Sequence, residues 1–247
     1  MILLEHGPGG PALFDGAVEV VSALTLAEVV PALQRLDAAR SAGLWVAGWI
    51  GYEAGFAFEP RLWGLARGSG PLLQFGVYAG PLAFPEVRGT ARLGVLTPLM
   101  AQPAYFAAFD RVQALIAAGD CYQVNLTFPL ETVLLQGTAL DLYAALRRQQ
   151  VGFGAYVDLG GPVLVSRSPE LFLRLDAAGR IEARPMKGTA PRDFDPVEDA
   201  RLATVLSVVA TAMNRITAMP TTDRTVTSLY TPSDSAQGPG LGHLAVP

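Results

Sequence analysis

Lysine is almost missing from this 247-residue chain. Of eighteen basic side chains one is lysine, Lys187, and the other seventeen are arginine. Arginine stays charged and clamps anions, whereas a buried lysine can lose its proton and act as a nucleophile or base. A chain that uses arginine for nearly every other cation marks its one lysine as a candidate for chemistry that arginine lacks. The bland alternative is codon bias. Cysteine also occurs once, at Cys121, so no intrachain disulfide can form and a reducing compartment is expected. The two histidines, His6 and His243, sit near opposite ends and give no metal-ligand spacing. No apolar run reaches the 18 or so residues of a membrane span, and the first ten residues lack the basic region of a signal peptide. Positive charge is scarce too. A net charge of −4 provides no basic stripe for nucleic acid. These absences predict a soluble cytoplasmic protein.

What is abundant is apolar surface: 51% of residues are hydrophobic and 16% are charged. Either the core is large, or apolar faces expect more protein. Segment by segment the pattern alternates. Pro11–Ser22 reads as one or two strands. Thr25-Leu-Ala-Glu28 has the form of a capping box, and Pro31 either kinks the helix that follows or begins it; Gly43 is its stop. Leu44–Tyr52 and Leu72–Tyr78 read as strands, the first of them buried, with a loop-like Pro60–Gly70 between. Pro103 fits the first turn of a helix that places Tyr105, Phe106, Phe109, Val112, Leu115 and Ile116 on one face and stops at Gly119. Cys121–Thr132 is expected to be one long strand, and Thr138–Gln149 a helix. Phe153–Leu159, Pro162–Arg167, Leu171–Leu175 and Arg180–Pro185 follow as short strands. The sum predicts an α+β fold of mostly antiparallel sheets with helices packed outside.

Composition shifts near residue 205. Residues 206–247 hold no Lys, Glu, Phe or Trp, and their Gly/Pro/Ser-rich end predicts disorder. The expected organisation is a strand-rich region over 1–100, a second region over 101–205 and an atypical tail over 206–247.

Three segments carry chemistry-bearing residues in order: Gly119-Asp-Cys-Tyr-Gln-Val-Asn-Leu-Thr127, Ser166-Arg-Ser-Pro-Glu-Leu-Phe172 and Arg184-Pro-Met-Lys-Gly-Thr-Ala-Pro-Arg192. Together they resemble the chorismate-utilising enzymes: aminodeoxychorismate synthase component I, anthranilate synthase component I, and the isochorismate and salicylate synthases. Trp45-Val-Ala-Gly-Trp-Ile-Gly-Tyr-Glu-Ala-Gly55 and Phe75-Gly-Val-Tyr78 resemble the aminodeoxychorismate branch in particular. The resemblance spans roughly residues 10–205 and implies the first part of the component I fold.

It also implies roles. Lys187 would attack C2 of chorismate and expel the C4 hydroxyl; ammonia would then add at C4 and expel the lysine. Anthranilate synthases carry alanine at this position. Glu170 would be the general acid for the departing hydroxyl, and its alternative is a turn glutamate after Pro169 that caps a backbone N–H. Gln123 stands where the water-using members carry a lysine base, and an amide cannot be a base. Gly188 and Thr189 would let the backbone approach the substrate and offer a hydroxyl, or simply make a turn. The resemblance further implies a glutamine amidotransferase partner that delivers ammonia, and Mg²⁺ held by glutamates from segments that do not follow residue 205 here. A truncated or frameshifted product is therefore expected. The competing readings are anthranilate synthase component I and a non-catalytic fragment of the fold.

Overall fold

The computed structural model describes residues 1–7, 9–66, 70–148, 152–176, 180–184 and 194–213. Two compact units divide the chain, Met1–Leu171 and Phe172–Pro247.

The first unit opens with β1 (Ile2–Gly7), β2 (Gly10–Phe14) and β3 (Glu19–Ala23). Helix α1 (Leu26–Ser41) follows. Its capping box is formed as the sequence predicts: the Glu28 carboxylate accepts from the backbone N–H of Thr25 at 3.1 Å and of Leu24 at 2.6 Å. Pro31 lies inside α1 on its exposed side, so it neither starts nor stops the helix. Gly43 takes the left-handed conformation (φ 83°) just past the helix end. β4 (Trp45–Ile50) leads into two 3₁₀ segments, Tyr52–Phe58 and Pro60–Leu65, where a loop was expected for the second. β5 (Leu73–Tyr78) is flanked by β3 and β4 on either side, so it is the buried central strand. β4 is an edge strand, and this explains why Ile50 and Trp45 keep much of their surface exposed despite the apolar sequence.

Short pairings follow: β6 (Leu82–Ala83), β7 (Arg92–Leu93), β8 (Thr97–Pro98), β9 (Leu130–Glu131) and β10 (Leu134–Gln136). Helix α2 (Gln102–Ala118) carries Pro103 in its first turn and ends at Gly119, φ 82°. Tyr105, Phe109, Val112, Leu115 and Ile116 lie on its better-covered face, as their spacing predicts. None of them is buried, and Phe106 is 53% exposed. The long strand expected over Cys121–Thr132 is a correction. Only Leu130–Glu131 pairs, with Thr97–Pro98, and the rest is irregular. A strand needs a partner ladder, and among the described residues none runs beside 121–129.

Helix α3 (Ala139–Leu146) is capped by Thr138, whose hydroxyl accepts from the Asp141 N–H at 3.2 Å while Asp141 accepts from Thr138. These hydrogen bonds lower the Asp141 carboxyl below its ordinary pKa. β11 (Phe153–Val157) and β12 (Leu164–Ser168) complete the larger sheet, in the order β12-β11-β1-β2-β6 with antiparallel pairing between β1 and its neighbours β2 and β11. The second unit contains most of β13 (Leu171–Leu175), its partner β14 (Ile181–Arg184) and α4 (Pro196–Met213). The tail beyond Met213 lies outside the described residues.

Strand alternation sorts the first unit into layers. One face of the larger sheet supplies Ile2, Ala12, Phe14 and Val157, and these pack on Ala47 and Tyr78 of the β3-β5-β4 sheet. Its other face supplies Leu3 and Tyr156, which enclose Tyr143 of α3. The outer face of β3-β5-β4 supplies Val21, Ala23, Leu73 and Val77 to Val29, Ala32 and Leu36 of α1. Helix, sheet, sheet and helix are therefore stacked, which bears out an α+β fold with helices outside.

Tyr78 anchors the inter-sheet layer with its ring 5.3 Å from Phe14, and its buried hydroxyl has no hydrogen-bond partner. Burial, and then the Asp15 carboxylate, push this phenol up to about 12. The unfolded chain ionises first, so the contribution of Tyr78 is intact below about pH 10 and lost as pH rises through about 12. Tyr78→Phe is expected to leave stability at pH 7 unchanged or slightly raised, because an unsatisfied hydroxyl is removed, and to shift the midpoint of alkaline unfolding upward. Urea melts at pH 7 and a circular-dichroism titration to pH 12.5 check this (roughly the upper limit of the phenol's range).

Candidate active site

The geometry begins with three residues in a row across the larger sheet. In the β-register Gly154 of β11 faces Arg167 of β12, and Glu5 of β1 lies on the other side of Gly154. Glu5 and Arg167 meet over the top of the middle strand, Oε1 to Nη1, at 2.5 Å. Gly154 makes this possible. A Cβ there would collide with Nη1 of Arg167 and lie 2.6 Å from Oε1 of Glu5. Arg147, just past the end of α3, approaches the same carboxylate with Nε at 3.2 Å and lays its guanidinium over Phe84 at 4.9 Å. Both partners of the central pair are nearly buried, with 11% and 14% of their side chains exposed. Beside them burial, followed by the Glu5 carboxylate, raises the Tyr143 phenol far above the ordinary tyrosine range.

This cluster fixes the strand that carries the acid candidate. β12 ends at Ser168, and its hydroxyl both accepts from the Glu170 N–H at 3.2 Å and donates to the Glu170 carbonyl at 3.1 Å. The backbone around Pro169 is thus pinned at both ends of a tight turn. Gly152 packs under it, with room for a Cβ no closer than 3.2 Å to the Pro169 carbonyl. The Glu170 side chain is exposed. The local shape has a turn glutamate after Pro169, but the N–H in that turn is bonded to Ser168.

Gln123 is exposed in the irregular segment before β9 rather than on a strand. Its neighbour Tyr122 is fully open to solvent, and Cys121 is half-buried. Lys187, Gly188 and Thr189 lie outside the described residues. The strand that leads to them, β14, is held to β13 by an Arg174–Glu182 ion pair at 3.3 Å, and Arg180 closes their turn on Asp176 at 2.7 Å. Among the described residues no three His, Cys, Asp or Glu side chains gather as a metal site. No described helix is long and apolar enough to cross a membrane. The Glu5–Arg167–Arg147 cluster is what sequence reading missed. Its one signal was a charged residue directly after the apolar run Ile2–Leu4.

An α+β stack whose outer strand presents Ser-Arg-Ser-Pro-Glu at its end defines the class. The profile of chorismate binding enzymes matches residues 83–208, and the chain belongs to that family. It is 44% identical over 104 residues to an aminodeoxychorismate synthase of Streptomyces griseus, covering 42% of this chain and 14% of that protein. It is 38% identical over 102 residues to aminodeoxychorismate synthase component 1 of Klebsiella aerogenes, covering 41% and 22%. Anthranilate synthase component 1 of Thermus thermophilus is 45% identical over 101 residues, covering 40% and 21%. The chain thus spans less than a quarter of the length of these relatives. A solved structure described as a 2,3-dihydroxybenzoate-specific isochorismate synthase of Bacillus anthracis shares the fold, with TM-score 0.58 and 18% identity, over 83% of this chain and 53% of that one.

Removing one member of a buried pair leaves the other charge uncompensated. Glu5→Ala is expected to cost about 3–5 kcal/mol in chemical denaturation. Gly154→Ala should also destabilise, because its neighbours are charged groups locked in place. Full stability in both variants would show that the pair does not hold β12.

Proposed function

We propose that this chain is of the aminodeoxychorismate synthase type, acting in the amination of chorismate to 4-amino-4-deoxychorismate on the route to 4-aminobenzoate and folate. The observation that carries the reading is Lys187 within Pro185-Met-Lys-Gly-Thr189, the chain's single lysine, in the motif to which the resemblance assigns the nucleophile. In this reading the neutral Nζ of Lys187 bonds to C2 of chorismate, both ring double bonds shift, and the C4–O bond breaks. Glu170 gives its proton to the departing hydroxyl, which leaves as water. Ammonia then bonds to C4 and returns a proton to the Glu170 carboxylate, both ring double bonds shift back, and the C2–N bond breaks to release Lys187 as a neutral amine. Two displacements replace one difficult step. Lysine is required because an arginine keeps its proton.

The Ser168 turn supports the role of Glu170: a fixed backbone at an exposed position is a suitable mount for an acid. The burial that an acid at neutral pH needs must come from substrate or from further protein, since Glu170 is exposed. Gly188 and Thr189 would cradle the substrate. Gln123 would contact it by hydrogen bonds and, lacking a base, leaves water unactivated. A glutamine amidotransferase is the expected source of ammonia.

Anthranilate synthase component I is the second reading, favoured by the 45% identity to the Thermus protein. Lys187 separates the two. Incubation with chorismate, followed by intact-mass analysis after acid quench, should reveal an adduct on the wild-type chain that Lys187→Ala abolishes; Glu170→Gln should slow its formation by about 10²–10⁴-fold. An adduct that persists in Lys187→Ala sinks the covalent role.

Because the chain spans so little of its relatives, it is expected to show little or no turnover alone with chorismate, ammonium and Mg²⁺. Robust formation of aminodeoxychorismate by the purified chain would overturn this and remove the reading as a non-catalytic fragment.

A further inference from the structure

An open cleft of the first unit, about 530 Å³, is not used by the chemistry above. It lies between the end of α3 and the segment Val87–Thr90 that joins β6 to β7. Three arginines line it: Arg88, Arg147 and Arg148. Val87 and Ala144 supply apolar wall, and Thr90 supplies a hydroxyl. Three of the chain's eighteen basic side chains thus share one cleft.

The three differ in how they are held. Arg147 is immobilised by the Phe84 ring and by Glu5, and its closest contact to Glu5 runs through Nε. A guanidinium has five N–H donors, so most of its capacity remains. Arg88 is held by Glu86 at 2.5 Å, with both side chains largely in solvent. Such a pair is worth little and exchanges readily for another anion. Arg148 has no carboxylate of the described residues within ion-pair distance, and it follows directly on Arg147. The floor is closely packed: a Cβ on Gly89 would lie 2.7 Å from Cα of Asp141. The carbonyls at the end of α3 oppose an anion here, and so does Asp141, so the attraction must come from the arginine side chains.

We propose that this cleft binds a small organic dianion, with paired oxygens taken by Arg147 and Arg148, a second anionic end by Arg88, and its hydrocarbon body against Val87 and Ala144. Guanidinium forks match the paired oxygens of carboxylate and phosphate alike, so both are sources of the same chemistry. The volume lies in the range of small-molecule sites and exceeds what a bare inorganic ion fills. Occupancy would also reach β12, because Arg147 shares the Glu5 carboxylate with Arg167.

Titration calorimetry of the full chain with malonate, and separately with phenyl phosphate, tests this, against sodium chloride at matched ionic strength. Saturable binding of either probe at one site is expected, about tenfold weaker in Arg148→Ala and in Arg88→Ala. Malonate binding alone identifies a dicarboxylate, and phenyl phosphate binding alone a phosphomonoester. Both variants alter exposed side chains, and an unchanged thermal unfolding midpoint in each shows that the fold is intact. Heats that match sodium chloride, or binding that Arg148→Ala leaves unaltered, overturn the proposal.

Discussion

A carboxylate and a guanidinium that meet above a glycine hold the larger sheet at the place where it matters. Glu5, Gly154 and Arg167 belong to three adjacent strands, so one ion pair ties the first strand of the chain to a strand some 160 residues later. Water is largely excluded, and the pair keeps its strength there as long as both charges are matched. Arg147 adds a second cation from the helix layer. Everything at the end of β12, including the Ser168 turn and the direction in which Glu170 leaves the sheet, is set by how firmly this strand is registered on its neighbour.

The layers around this cluster are ordinary hydrophobic packing. Each sheet has one face on the other and one on a helix, so each strand alternates two apolar environments rather than apolar and polar. That arrangement accounts for the high hydrophobic fraction without a large core. It also leaves α2 as an outlier, a helix whose apolar stripe is not buried by any of the described residues. Its Tyr105 ring finds Phe128 at 5.6 Å, in the segment where a strand was expected.

Local signals were the legible ones. The Thr25–Glu28 box, the Pro103 start, the Gly43 and Gly119 stops and the hairpin strands 153–157 and 164–168 all follow from side chains within a turn of where they act. Non-local facts were not. Whether Cys121–Thr132 becomes a strand depends on a partner that its own residues cannot specify. Glu5 reads as a polar interruption until Gly154 and Arg167 are seen beside it. Ile2–Gly7 went unread as a strand because its alternation is masked by two buried faces. The motif residues were legible as chemistry, and Glu170 acquired a mount from the structure, while Lys187 rests on its motif alone.

Gly154 makes an evolutionary demand. Any replacement adds at least one carbon where the two charged groups touch, so the codon is not free to drift on its own. Homologues with a side chain at this position should also have exchanged Glu5 or Arg167 for something shorter or uncharged, and the three columns should change together.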